Sequence, residues 1–149
     1  MPDDLNDGLR WVEQAACDLA EAQDLRHKYP RTACFYAQQA AAKALKGVLL
    51  GLGLAVPRTH SVEELYDRLP ELHEALGSRN EAMQLDRYYV QTRYPDSLPG
   101  SVPSKHFTSE DAAQALPIAS RIVGTCARTL DRLQKASDEA GGPEGASGP

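Results

Sequence analysis

Apolar residues recur along this chain at steps of three and four, and no stretch of strand length alternates with a period of two. That pattern predicts an all-α protein. From about Asp4 to His27, Leu5, Leu9, Val12, Ala16, Leu19 and Ala22 make one stripe, as expected of a helix with a single buried face. Pro30 disfavours helical geometry at Tyr29 and closes this first segment. A second helix is predicted from about Arg31 to Leu52. Its main stripe is Cys34, Ala37, Ala41, Leu45, Val48 and Leu52, widened by Phe35, Ala40, Ala44 and Leu49. So little polar surface places it at the centre of the fold or against a second subunit.

The remaining elements are marked by caps and breakers. Ser61 and Glu64 form a capping-box pattern opening a short helix to about Leu69, before Pro70. Ser78 and Glu81 repeat it and open a helix to about Gln91. Three prolines and a glycine between Tyr94 and Pro103 make a loop. Thr108 to Asp111 caps a last helix with the stripe Ala112, Ala115, Ala119, Ile122, Cys126, Leu130 and Leu133, in which Pro117 is expected to kink or end the first turns. From Ala136 onward, the Gly, Pro and Ser content reads as a disordered acidic tail over 136–149. The expectation is an up-and-down antiparallel bundle over residues 1–135, with three long and one or two short helices.

Charge refines this picture. The 149 residues carry 16 Lys and Arg against 21 Asp and Glu, a net charge of −5. Met1–Asp24 holds seven acids and one base, whereas Leu25–Arg58 holds six bases and no acid. The bulk acidity disfavours a broad nucleic-acid surface, but the basic stretch could still recruit a phosphate. Cys17, Cys34 and Cys126 lack C-x-x-C spacing and lie in helical segments, so they read as small core hydrophobes. No apolar run reaches the length of a membrane span, and the first residues are acidic where a signal peptide needs bases. A cytoplasmic protein is expected.

Most catalytic signatures are missing. None of His27, His60, His73 and His106 follows a glutamate by three residues, so neither a di-iron pattern nor any other metal site is expected. There is no phosphate-binding Walker loop and no G-x-S-x-G. No cofactor is indicated. The chemistry-bearing residues lie instead in the run C-F-Y-A-Q-Q-A-A-A-K-A-L-K over 34–46, in R-T-H over 58–60, and in D-R-Y-Y-V-Q-T-R-Y-P-D over 86–96. Arg87 and Arg93 could hold a phosphate, and Tyr89 and Tyr94 could stack on a base. Asp96 flanks that segment. Structurally, Arg93 could instead pair with Asp96 or cap helix-end carbonyls, with the tyrosines in the core. Lys43 and Lys46 could line a phosphate-binding face or form a solvated edge. Gln38 and Gln39 could bond across a dimer or to tyrosine hydroxyls. His60 could be an acid or base, or simply begin the next helix.

In that order, these segments resemble the HEPN family (higher eukaryote and prokaryote nucleotide-binding domain), over roughly Leu9 to Leu133. The resemblance implies a helical bundle, commonly a homodimer, often encoded beside a minimal nucleotidyltransferase and working with it as a toxin–antitoxin pair. Ribonuclease members of the family carry an Arg, four to six residues, then a His; two copies face each other and cleave RNA without metal, using the ribose 2′-hydroxyl. Here no histidine follows Arg87 or Arg93 within six residues. A formal match, Arg68 to His73, is interrupted by Pro70. Ala42 and Tyr36 stand where the family often has Glu and His. The reading that follows is a homodimeric nucleotide-binding or partner-binding module. The alternatives are a metal-independent ribonuclease toxin, with Arg68, His73, Arg93 and His60 as its candidates, and a purely structural scaffold.

Overall fold

The computed structural model describes residues 2–146, and it is all-α, with no strand among them. The long helices are α1 (Pro2–Leu25), α2 (Pro30–Gly51) and α7 (Ser109–Ala146), and the medium one is α5 (Arg79–Gln91). Short turns of helix, α3 (Val62–Asp67), α4 (His73–Leu76) and α6 (Pro103–His106), fill the connections, with single 3₁₀ turns at Pro70–Leu72 and Pro95–Ser97. This is the expected bundle, with more one-turn elements than its periodicity suggests.

Pro30 is the first residue of α2, where its missing N–H costs nothing. The four-residue link after Leu25 therefore turns α1 back onto α2. Close approaches show the antiparallel register: the backbone of Gly8 meets that of Gly47, Trp11 meets Lys46, and Asp18 meets Lys43. The first of these is the tightest crossing. A Cβ on Gly47 would lie 2.8 Å from the Gly8 carbonyl oxygen and 2.8 Å from Val12 Cγ2. The two glycines let the backbones approach in a way that no side chain permits.

Helix α2 is central. It packs against α1, α7, α5, α3 and α6. Twelve of its residues are buried, from Ala33 to Leu49, so its apolar sequence is accounted for within one chain, without a second subunit. The core continues through Leu65, Leu69, Leu85, Ile122 and Leu130. Arg121 and Thr125 of α7 donate to the carbonyls of Glu74 and Ala75, tying the end of α4 to the bundle.

Four expectations need correction. In α1 it is Ala15, not Ala16, that is buried, because the face turned inward runs Val12, Ala15, Leu19, Ala22. That rotation leaves Cys17 exposed, while Cys34 and Cys126 are buried as expected. Pro117 does not end α7; it sits on the solvent side of a helix that runs on past it. Finally, α7 extends to Ala146, so residues 136–146 of the expected disordered tail are helical. Once a packed helix exists, each further residue adds a hydrogen bond without a new nucleation cost. Residues 134–141 are exposed, so this extension is not held by packing. The last part of the tail, 147–149, lies outside the described residues.

Candidate functional site

Helices α2 and α5 run antiparallel along one edge of the bundle, and their contacts form a ladder. Arg31 donates to the Thr92 carbonyl at 3.4 Å, Phe35 faces Tyr89 with ring centroids 6.3 Å apart, and Gln38 reaches Asp86 at 3.3 Å. The α5 stripe Ala82, Leu85, Tyr88 is buried. Tyr89, one residue on, is therefore turned to the rim of the core, half-buried beside α2.

Two further groups join Phe35 on Tyr89. His60, from the loop before α3, stacks on its ring with centroids 4.9 Å apart and planes at 15°. Arg93 places its guanidinium carbon 4.3 Å from the same ring, 4.9 Å from Phe35 and 5.2 Å from Tyr94. Its Nε donates to the Tyr89 carbonyl at 2.7 Å, satisfying an acceptor in the last turn of α5. This matches the carbonyl-capping reading of Arg93, and Asp96 is not its partner: among the described residues Arg93 makes no ion pair, and Asp96 is exposed on the 3₁₀ turn. Guanidinium held over aromatic faces keeps its remaining N–H groups available for an anion.

Beside this cluster lies a cavity of about 420 Å³, lined by Arg58, Thr59, His60, Ser61, Asp86 and Tyr89. Arg58 and His60 are exposed at its rim. Asp86 lines it with its carboxylate already saturated by donors of the chain. Asp86 accepts from the Val62 N–H at 2.7 Å, the Ser61 hydroxyl at 2.8 Å and the Glu63 N–H at 3.1 Å. Ser61 in turn caps α3 by accepting from the Glu64 N–H at 3.1 Å. Gln38, fully buried, donates to the His60 carbonyl at 2.6 Å and accepts from Gln39 at 2.8 Å, so both glutamines are used within one chain and neither reaches a tyrosine hydroxyl.

Of the residues picked out from sequence, Arg93, Tyr89, Tyr94 and His60 come together here. Arg87 is exposed on the outer face of α5, alongside exposed Met83 and Val90. Lys43 is elsewhere and occupied: its Nζ lies 2.6 Å from Asp18 Oδ2, in an ion pair whose carboxylate is largely shielded from solvent and supported by Gln14, which donates to Asp18 at 2.9 Å. Lys46 lies 5.9 Å from the Trp11 ring, and burial lowers its pKa. The groove of about 510 Å³ that Lys43 lines also carries Asp7, Glu13 and Arg10, so its acids and bases balance and it presents no excess of positive charge to a phosphate. The formal Arg68–His73 match has its two members in different settings. Arg68 is exposed at the end of α3, whereas His73 stacks on Tyr66 with centroids 3.9 Å apart and its Nε2 is 2.8 Å from the Tyr66 carbonyl oxygen. His106 is exposed, edge-on to Phe107.

Sequence reasoning missed Phe35 and Asp86 as members of the cluster. Asp86 opens the D-R-Y-Y run and had no visible partner, because the turn it caps is more than 20 residues earlier in the chain. Among the described residues no group of three or more His, Cys, Asp or Glu side chains could hold a metal, and no helix is long and apolar enough to cross a membrane.

Comparison with known proteins closes on one family. A family model described as HEPN domain matches residues 9–130. The crystal structure of TT1696 from Thermus thermophilus is 37% identical, with a TM-score of 0.71 over 83% of this chain and 98% of that one. ST0689, described as an archaeal HEPN homologue, is 33% identical, with a TM-score of 0.68 over 81% of this chain and 95% of that one. No curated protein matches. With the matched segment running from Leu9 in α1 to Leu130 in α7 and enclosing the whole Tyr89 cluster, this chain belongs to the HEPN domain family.

Proposed function

We propose that this chain is a non-catalytic HEPN module, a homodimer that binds a nucleotide at the Tyr89 cluster and partners a minimal nucleotidyltransferase in a toxin–antitoxin-like pair. One observation carries the reading. His60 and Arg93, distant in sequence, are held against the same aromatic ring beside a cavity that Arg58 overlooks. Planar rings offer a face for a base, and the two arginines offer a fork for a phosphate. Dimerisation draws its support from the exposed apolar residues Met83 and Val90 on α5 and Tyr94 just after it, together with family membership, now that α2 is covered within the chain.

Calorimetric titration of the purified protein with adenine and guanine nucleotides tests the ligand, with Arg93→Ala and Arg58→Ala as controls. Saturable binding lost in either variant supports the reading; absence of heat with every nucleotide defeats it. Light scattering tests the dimer, and co-purification from the native host tests the nucleotidyltransferase.

The same convergence favours one second reading, a metal-independent ribonuclease. An imidazole and a guanidinium held on one aromatic ring are groups of the kind needed to move a proton from a 2′-hydroxyl and to neutralise the phosphate it attacks. RNA cleavage in EDTA that is lost in His60→Ala and Arg93→Ala, but kept in His73→Ala, would establish it. Intact RNA at high protein concentration, free of any antitoxin, would eliminate it.

A further inference from the structure

We infer that Asp86 and Gln38 are the positioning residues of the Tyr89 site: they hold the 58–61 loop against α5 so that His60 lies flat on the Tyr89 ring. The inference rests on the reading of that surface as a ligand site, but its geometry stands independently. The His60 loop has no regular structure of its own, and a segment without a ladder needs outside partners to hold one conformation. Here the partners are two side chains from two helices. Gln38 of α2 grips the His60 carbonyl itself at 2.6 Å, and Asp86 of α5 receives the next three residues through the Ser61 hydroxyl and the N–H groups of Val62 and Glu63.

Asp86 lines the cavity, which invites a role as general base or ligand acceptor. Its oxygens argue otherwise. Oδ1 accepts from Val62 and Gln38, and Oδ2 accepts from Ser61 and Glu63. Four donors fill the roughly four lone-pair sites of a carboxylate, leaving none for a ligand. Asp86 therefore acts through His60 and not on the bound molecule. Tyr89 stands just under one turn further along the same helix, so the residue that anchors the loop and the ring that receives His60 are set by one rigid element.

The test follows the imidazole directly. In the ligand-free protein, stacking on Tyr89 shifts the His60 ring proton resonances upfield, and His60→Gln assigns them. Asp86→Asn must offer an amide N–H₂ where two donors already point, so the loop is released. The expected result is loss of the upfield shift with unchanged far-UV circular dichroism. Gln38→Met, which keeps volume but not the grip on the His60 carbonyl, should do the same and serves if Asp86→Asn does not fold. His60 resonances unchanged in folded Asp86→Asn or folded Gln38→Met overturn the inference. Nucleotide titration forms the second arm, where each variant is expected to bind on the order of tenfold more weakly than the parent. A parent that binds no nucleotide defeats the proposed function while leaving the His60 resonances to decide the positioning roles.

Discussion

Arg93 folds back on Tyr89, its Nε bonded to the Tyr89 carbonyl oxygen at 2.7 Å and its guanidinium carbon 4.3 Å from the ring of the same residue. One side chain thus finishes α5 and presents a planar cation at the edge of the candidate site. Arg93→Lys keeps the charge but loses the Nε donor and the flat face. We expect it to weaken nucleotide binding almost as much as Arg93→Ala, while the unfolding free energy falls by only about 1 kcal/mol in either. Calorimetry and urea unfolding separate the two effects. Full binding in Arg93→Lys would mean that a point charge suffices.

Asp18 and Lys43 are the place where the acidic first helix meets the basic second one. The pair is shielded enough that removing one member leaves an under-solvated charge, so Lys43→Met is expected to cost about 1–2 kcal/mol, less than for a fully buried pair. The double variant Asp18→Asn, Lys43→Met should cost less than the two single changes summed, as a double-mutant cycle in urea would reveal. Lys43→Met should leave nucleotide affinity unchanged. A loss of binding there would return Lys43 to the site.

The α1–α2 crossing predicts opposite signs for two Gly→Ala changes. At Gly47 the new methyl would press on the Gly8 backbone, which cannot rotate away, and overpacking of this kind costs about 1–3 kcal/mol. At Gly124 in α7 the nearest atom is the far end of Arg128 at 3.3 Å, which can swing aside. Alanine there should gain up to about 1 kcal/mol of helix propensity. Thermal midpoints would move by roughly 2–4 °C per kcal/mol in a domain of this size, downward for Gly47→Ala and upward for Gly124→Ala.

The three cysteines should divide by exposure. Cys17 is open to solvent, whereas burial pushes the Cys34 thiol up to about 12 and raises that of Cys126 as well. Thiolate is the reactive form, so at a mildly alkaline pH a chromogenic disulfide reagent should label Cys17 quickly and the other two only after unfolding. Cys17→Ser should abolish the fast phase. A second fast thiol in the native protein would show that the core around α2 or α7 opens readily.

The local pattern of the chain is enough to specify an all-α bundle, its three long helices and the helix starts at Ser61 and Ser78. Only Ser78 and Glu81 complete the expected reciprocal box; at Ser61 the backbone N–H goes to Thr59 instead of Glu64. Family membership was legible from local sequence as well, through compact runs at 34–46 and 86–96. What local sequence could not convey is which candidates share a place. Lys43 and Arg93 both read as candidate phosphate-binding cations, yet one is spent on Asp18 and the other faces three aromatic rings. His60 gained its setting from Tyr89, and Asp86 its donors from the start of α3, across 20 or more residues of chain. Ala15 replaced Ala16 in the core through a rotation of α1 that depends on where Gly8 lets it cross α2. Periodicity reports which face of a helix is apolar, but the partner of a polar group is set by how the helices pack, and that packing is a property of the whole chain.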